Sequence, residues 1–166
     1  MTTLTIRSEE EEDRAPLRDL LLKAFQGAEE ADLVDNLRNA GDIAVSVVGL
    51  MEGRIVGAAI FSRMSGPFPA LGLAPVAVDE EERGTGIADK LIRAGLEEAQ
   101  RQGIIAVFVL GDPAYYSRFG FRPETAAGFA SPYAGPYLMA LALHDAGLPV
   151  TSGRIDYAPA FNALEA

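Results

Sequence analysis

The chain has 166 residues, of which 49% are hydrophobic and 23% charged, and this length and composition fit one domain with a full hydrophobic core. Its formal net charge of −10, from 24 acidic and 14 basic residues, disfavours a nucleic-acid partner, because affinity for nucleic acids comes mainly from Lys and Arg beside phosphates. The absence of cysteine excludes a disulfide scaffold, thiolate metal sites and a cysteine nucleophile.

The first forty residues predict one strand followed by two helices. The strand covers Leu4 to Ile6, and the acidic stretch 8–13 is expected to be a solvated turn. Asp13 stands where it could cap the first helix. That helix should end near Phe25, and residues 29–39 show the apolar spacing of a second helix.

Most of the remaining chain predicts strands around one long helix. Strands are expected at about 44–51, 54–64, 70–78, 104–110 and 137–143. The long helix should run from about 86 to 102, and a short helix or turn should cover 113–119. Residues 157–166 are expected to form a loop packed on the surface. The prediction is a single α/β domain of residues 1–166, with a core of about 3–143 and a C-terminal extension of 144–166.

The most informative stretch is the turn Arg83-Gly-Thr-Gly-Ile-Ala88, which lies between a predicted strand and the long helix. The first N–H groups of a helix lack partners and carry partial positive charge, so such a turn can bind an anion. Gly84 and Gly86 allow a ligand to approach the backbone, and Arg83 adds a cation. A plain strand-to-helix turn would use glycine equally well. The spacing of neither the P-loop nor the dinucleotide fingerprint is present.

A second motif follows the predicted strand 104–110. It reads Gly111-Asp-Pro-Ala-Tyr-Tyr-Ser-Arg-Phe-Gly-Phe-Arg-Pro123. The turn fits the pattern R/Q-x-x-G-x-G/A, with Arg83, Gly86 and Ala88 at the defined positions. Together the two motifs resemble the coenzyme A loop and the Tyr-x-x-x-Gly-Phe hallmark of the GNAT superfamily of N-acetyltransferases.

The resemblance covers most of the chain. The predicted order β-α-α-β-β-β-α-β-α-β is similar to the GNAT fold over about residues 3–143. Leu33-Val-Asp-Asn-Leu-Arg38 and Gly153-Arg-Ile-Asp-Tyr-Ala-Pro-Ala-Phe161 look like the bacterial YhbS-type branch. The resemblance implies a central mixed sheet of about six to seven strands, splayed at a coenzyme A slot and flanked by about four helices.

The resemblance also implies a function and a set of site residues. Acetyl-CoA would be the acyl donor, with direct transfer to an amine of a small molecule or protein and no metal. Tyr116 would be the catalytic acid that protonates the leaving thiolate. The neighbouring aromatic residues Tyr115, Phe119 and Phe121 are expected to be core residues. The expected coenzyme A contacts are Val76, Val78, Arg83, Gly84, Thr85, Gly86, Ile87 and Ala88.

The general base is where the chain departs from the family. GNAT enzymes often carry a glutamate on the strand before the phosphate loop, whereas strand 70–78 has no acid or base. Water could relay the proton to bulk solvent or to a remote acid such as Glu29 or Glu30. His144 could be a base but is expected to be a turn residue. Asp112 could either cap the following turn or approach the thioester.

Several questions stay open at the level of sequence. The missing acid allows an alternative function, a non-catalytic coenzyme A-binding or interaction domain with the GNAT fold. Transfer to oxygen and use of a longer acyl chain are also open. No signal peptide or membrane-spanning run is evident, so a cytoplasmic location without membrane partners is expected. Homodimers occur in the superfamily, and the resemblance allows one here.

Overall fold

A computed structural model describes residues 3–165, and a six-stranded mixed sheet forms its centre. The eight strands are β1 (Leu4–Ser8), β2 (Ile43–Met51), β3 (Arg54–Arg63), β4 (Ala70–Val78), β5 (Ala106–Leu110), β6 (Phe129–Ala130), β7 (Leu138–Ala142) and β8 (Gly153–Arg154). The large sheet has the order β1-β2-β3-β4-β5-β7, and β6 pairs with β8 in a separate two-stranded sheet. Only β4 and β5 are parallel within the large sheet.

Helices cover both faces of the large sheet. The α-helices are α1 (Arg14–Phe25), α2 (Glu29–Asn39), α3 (Ile87–Arg101), α4 (Pro113–Tyr116) and α5 (Pro123–Ala126). Short 3₁₀ helices cover Glu11–Asp13, Glu80–Glu82, Ser117–Phe119 and Pro159–Glu165. Helix α3 packs its apolar stripe on one face, and α1 packs on the other. In the described part of the chain, no helix is long and apolar enough to span a membrane.

An irregularity between Leu73 and Val76 changes which residues of β4 face α3. Before it, Leu71 and Leu73 lie in the core beneath α3; after it, Val76 and Val78 pack against the same core. Opposite this point the β3–β4 register shifts between Ala59 and Phe61. A strand that keeps its period of two cannot place both pairs on one face. The extra residue is therefore a β-bulge, which bends a strand and interrupts its pairing.

The predicted mixed sheet with flanking helices is confirmed, and so are the N-terminal strand, the two following helices and the strands on either side of residues 52–53. Strand β5 begins later than expected, at Ala106, because residues 103–105 form the turn after α3. Several short elements were not predicted, among them α5, the β6–β8 pair and the 3₁₀ helix at the C-terminal end. They are too short to produce a periodic pattern.

Three expectations about the ends of the chain were wrong. The stretch 8–13 is not simply a solvated turn, since the Glu9 carboxylate is buried and pairs with Arg38 at 2.8 Å. Asp13 precedes α1 but does not cap it; its carboxylate accepts hydrogen bonds from Arg7 at 2.6 Å and from the Glu10 N–H at 2.7 Å. The tail is more than a surface loop, because Ala158 and Phe161 are buried against α2.

Candidate active site

A slot opens in the sheet where β4 and β5 stop pairing. Their parallel register covers only Ala70–Gly72 against Ala106–Phe108. Beyond it, β4 continues for residues 73–78 along β3 alone, while β5 continues to Leu110 along β7 alone. We call this gap the slot, and its closed end at Gly72 and Phe108 the apex. The bulge in β4 accounts for the separation, because it turns the strand away from its neighbour.

The open edge of β4 offers backbone hydrogen-bonding groups to the slot. The Asp79 N–H donates to the Val56 carbonyl at 2.7 Å, so residue 79 faces β3. The backbone groups of successive residues point to alternate sides of a strand. Val78 and Val76, which pair with Gly57 and Ala59, therefore direct their N–H and carbonyl groups towards the slot. Arg83 Nε donates to the Val78 carbonyl at 3.1 Å. The Val78 N–H and both backbone groups of Val76 are left for another partner.

The glycine turn is at the open end of the slot. Gly84 and Gly86 have φ angles of +81° and +83°, and a Cβ at either would meet no atom within 4 Å. The positive φ angles suit a plain strand-to-helix turn, which requires glycine. The empty space beside both glycines also allows a ligand to approach the backbone. Helix α3 begins at Ile87, directly after the turn. A cavity of about 310 Å³ lies here, lined by Val78, Glu82, Arg83, Gly84, Gly86, Ile87, Ala88, Asp89, Tyr115 and Arg118.

The acidic side chains around this cavity are paired with arginines. Arg54 lies 3.0 Å from Asp79 and 3.7 Å from Glu82. On the other side, Arg118 lies 3.0 Å from Asp89. These pairs are partly exposed and contribute little to stability. They do offset negative charge that would otherwise oppose an anion at the N-terminus of α3.

Tyr115 fastens α4 to the start of α3. Its hydroxyl donates to Asp89 Oδ1 at 2.8 Å, and the Arg118 guanidinium lies 4.6 Å from the centre of its ring. Partial burial would raise the pKa of Asp89, but hydrogen bonds from Tyr115 and Arg118 outweigh it and lower that pKa. The sequence predicted a core role for Tyr115. The structure adds a polar one, while Phe119 and Phe121 are buried as predicted.

Tyr116 stands at the β5 side of the slot. Its half-buried ring contacts the rings of Tyr115, Phe119 and Phe121, and it fits against Gly111, where a Cβ would lie 2.6 Å from Cε2. Its hydroxyl makes no side-chain hydrogen bond within residues 3–165. Burial raises the pKa of Tyr116 above its ordinary value. The phenol is therefore protonated at neutral pH and able to donate.

Two other sequence candidates, Asp112 and His144, have structural roles. Asp112 accepts a hydrogen bond from the Ala114 N–H at 3.0 Å and so caps α4. His144 Nε2 lies 3.1 Å from the Ile104 carbonyl oxygen, which places it in a turn. Glu29 and Glu30 lie in the first turn of α2, where Glu29 is exposed and Glu30 is half-buried.

One tyrosine beside the slot was missed by sequence reasoning. The ring of Tyr157 lies directly on Gly72, at the apex, and its hydroxyl is buried without a hydrogen-bond partner in the described part of the chain. It lies more than 80 residues beyond Gly72 in the sequence, in a segment with no periodicity. Only its place in the segment Gly153–Phe161, which looks like the YhbS-type branch, could have pointed to it.

Comparison with known proteins places the chain in a family. A model of the GNAT acetyltransferase domain matches residues 5–123. The uncharacterized N-acetyltransferase YhbS of Escherichia coli K12 is 40% identical over 123 residues, which are 72% of this chain and 74% of that protein. YjhQ of the same strain, also an uncharacterized N-acetyltransferase, is 36% identical over 141 residues, covering 80% and 77%.

Solved structures agree with this result. YhbS from Escherichia coli, crystallised with CoA, matches with a TM-score of 0.91 and 33% identity over 98% of this chain and 93% of that one. A GNAT family acetyltransferase from Brucella melitensis, in complex with acetyl-CoA, matches with a TM-score of 0.79 and 31% identity over 96% and 98%. With its mixed sheet, its slot and both motifs in place, the chain belongs to the GNAT family of acetyltransferases.

Proposed function

We propose that this chain transfers an acetyl group from acetyl-CoA to an amine, with the donor bound along the slot. The observation that carries the proposal is the arrangement of the slot, which has a glycine turn and the N-terminus of α3 at its open end and a protonated tyrosine on its β5 side. Two structural relatives bound to CoA or acetyl-CoA support the choice of donor.

The residues at the open end suit a diphosphate. The first N–H groups of α3 lack intrahelical partners, and the α3 dipole favours negative charge there. Gly84 and Gly86 leave the backbone uncovered. We assign this role to residues 83–88, with Thr85 as a backbone contact, because its hydroxyl donates to the Glu82 carbonyl at 2.7 Å.

The open edge of β4 suits the amide-containing arm of coenzyme A. An extended ligand can pair with an exposed strand edge through backbone hydrogen bonds. Val76 and Val78 present the required groups, as the register shows. At about 3.3 Å per residue, the edge from Val78 to Ala74 is roughly 13 Å long. A ligand that binds at the turn and follows this edge directs its reactive end towards the apex.

The reaction requires two proton movements. Bound acetyl-CoA supplies the thioester, whose carbonyl carbon forms the new bond with the amine nitrogen while the carbon–sulfur bond breaks. The sulfur departs with the electron pair and takes a proton, and the amine loses one. We assign the first proton to Tyr116, whose phenol is protonated at neutral pH. Because β4 carries no acid or base, we propose that water carries the second to bulk solvent or to Glu29 or Glu30.

Acetyl-CoA binding measured by calorimetry tests the donor assignment. Gly86→Glu should abolish binding, because it places bulk and negative charge where the diphosphate would lie. Gly103→Glu is the matched control: Gly103 has a φ of +82°, has nothing within 4 Å of a Cβ, and lies beyond the other end of α3. Both variants suffer the same backbone strain, but only Gly86→Glu should lose binding.

Two results would contradict the proposal. Unchanged affinity in Gly86→Glu would place the phosphate site elsewhere, and no binding by the folded wild-type protein would remove acetyl-CoA as the donor. Binding without turnover on a broad amine panel would favour the alternative, a coenzyme A-binding domain without transfer activity.

A further inference from the structure

Two buried side-chain hydroxyls have no hydrogen-bond partner among the described residues, those of Ser62 and Tyr157. A buried hydroxyl that lacks a partner loses its hydration without compensation. Such groups are rare in native proteins, and a role in binding or catalysis is one reason to keep them. The two lie close to each other, because Ser62 is the register partner of Gly72, against which the Tyr157 ring packs.

The fold holds the Tyr157 ring at the apex of the slot. A Cβ on Gly72 would lie 2.5 Å from Tyr157 Cε2, so glycine is needed for the ring to reach this position. Gly72 and Phe108 form the last register pair between β4 and β5. The rings of Tyr133 and Phe161 pack edge-on against Tyr157, with centroid distances of 5.5 and 5.0 Å. The ring is thus fixed from three sides.

Tyr157 and Tyr116 lie on opposite faces of the sheet. Tyr116 packs against the core beneath α3, whereas Tyr157 packs against the two clusters on the other face. Burial raises the pKa of Tyr157, and the nearby Tyr133 and Tyr116 hydroxyls raise it further. The Tyr116 and Tyr157 hydroxyls both stay protonated at neutral pH.

We propose that Tyr157 is a second tyrosine of the active site and that its hydroxyl donates a hydrogen bond to the thioester carbonyl oxygen of bound acetyl-CoA. This inference rests on the proposed function. The reactive end of the donor offers a sulfur, assigned to Tyr116, and a carbonyl oxygen. Pro75, in the bulge beside the apex, has no N–H to give. Of the two unpartnered hydroxyls among the described residues, that of Ser62 lies on β3, one strand away from the slot, whereas Tyr157 packs on Gly72 of β4 at the apex.

The hydrogen bond would act at the moment of transfer. As the amine nitrogen bonds to the carbonyl carbon, one electron pair of the C=O bond moves to the oxygen. It returns when the carbon–sulfur bond breaks. A donor already fixed at that oxygen stabilises the transient charge without having to reorganise, and removing one such donor typically lowers kcat about 100- to 1000-fold.

The test compares acetyl-CoA with CoA, which lacks the thioester carbonyl. Tyr157→Phe removes only the hydroxyl and leaves the ring contacts in place. It should bind CoA as the wild type does and acetyl-CoA about 3- to 10-fold more weakly, the range expected for one hydrogen bond. With carbonyl-labelled [¹³C]acetyl-CoA, the infrared carbonyl band should shift to lower frequency on binding to the wild type. That shift should be smaller in Tyr157→Phe.

Tyr133→Phe is the matched control, since it makes the same chemical change one ring away and should leave the carbonyl band unchanged. An unshifted band in the wild type would overturn the inference, even without a variant. So would an unchanged acetyl-CoA to CoA affinity ratio in Tyr157→Phe. In both cases the proposed function would stand, because the wild type still binds the donor. Failure of the wild type to bind either ligand would instead remove the proposed function.

Discussion

Tyr115 and Asp89 join the two motifs of the chain by a hydrogen bond of 2.8 Å between the phenol and Oδ1. Asp89 lies in the first turn of α3, next to the glycine turn, and Tyr115 lies in α4 beside Tyr116. The helix that follows the glycine turn is thereby tied to the segment that carries Tyr116, the proposed catalytic acid. Arg118 binds the second oxygen of the same carboxylate at 3.0 Å.

Tyr115→Phe should weaken this connection while keeping the aromatic packing. We expect a loss of about 1 kcal/mol in the free energy of unfolding, since a partly exposed hydrogen bond to a charged group is lost. Chemical denaturation measures it. The affinity for acetyl-CoA should also fall a few-fold, because the N-terminus of α3 is held less firmly. A variant that matched the wild type in both would show that the bond does not support the turn.

The same carboxylate gives a pH dependence of stability. The pKa of Asp89 is lowered in the folded protein. Its contribution to the free energy of unfolding is therefore complete above the unfolded pKa of about 3.9. The contribution is lost as the pH falls through the lower, folded pKa. In Asp89→Asn, stability should therefore decline less steeply below about pH 4 than in the wild type. Parallel curves for the two proteins would argue against the ion pair.

Tyr116→Phe tests the assigned acid. General acid catalysis contributes about 100- to 10,000-fold, so turnover should fall within that range. The affinity for acetyl-CoA should hardly change, because the ring still packs against Gly111 and Phe121. Steady-state kinetics and calorimetry together separate the two effects. Equal activity in the variant would remove Tyr116 as the acid.

Gly95→Ala tests how α3 is seated on the sheet. Alanine within a helix is favoured over glycine by about 1 kcal/mol. At this position, however, a Cβ would lie 2.1 Å from a ring carbon of Phe61. Overpacking of this kind costs about 1–3 kcal/mol and should outweigh the gain. Thermal unfolding should show a lower Tm for the variant.

A second substitution distinguishes overpacking from other causes. In Gly95→Ala with Phe61→Leu, the smaller side chain makes room for the methyl group. The double variant should therefore be more stable than the sum of the two single effects. Simple additivity would mean that the contact with Phe61 is not the reason for the loss.

The sequence alone determined the regular elements and both motifs. The spacing of apolar residues located α1, α2, α3 and the strands, because periods of 3.6 and 2 are visible without knowledge of tertiary contacts. The glycine turn could likewise be assigned as a helix N-terminus, and the structure confirms its place after β4. These are local properties, which depend on residues a few positions apart.

The tertiary structure decided which residues distant in sequence contact each other. Asp13 does not cap α1, because its carboxylate binds Arg7 of the neighbouring strand and the Glu10 N–H. The slot exists because a bulge separates β4 from β5, and bulges leave no clear mark in composition. Tyr157 reaches Gly72 only through the packing of the C-terminal segment on α2. Such contacts join residues distant in sequence, and their partners are set by the folded core rather than by any local pattern.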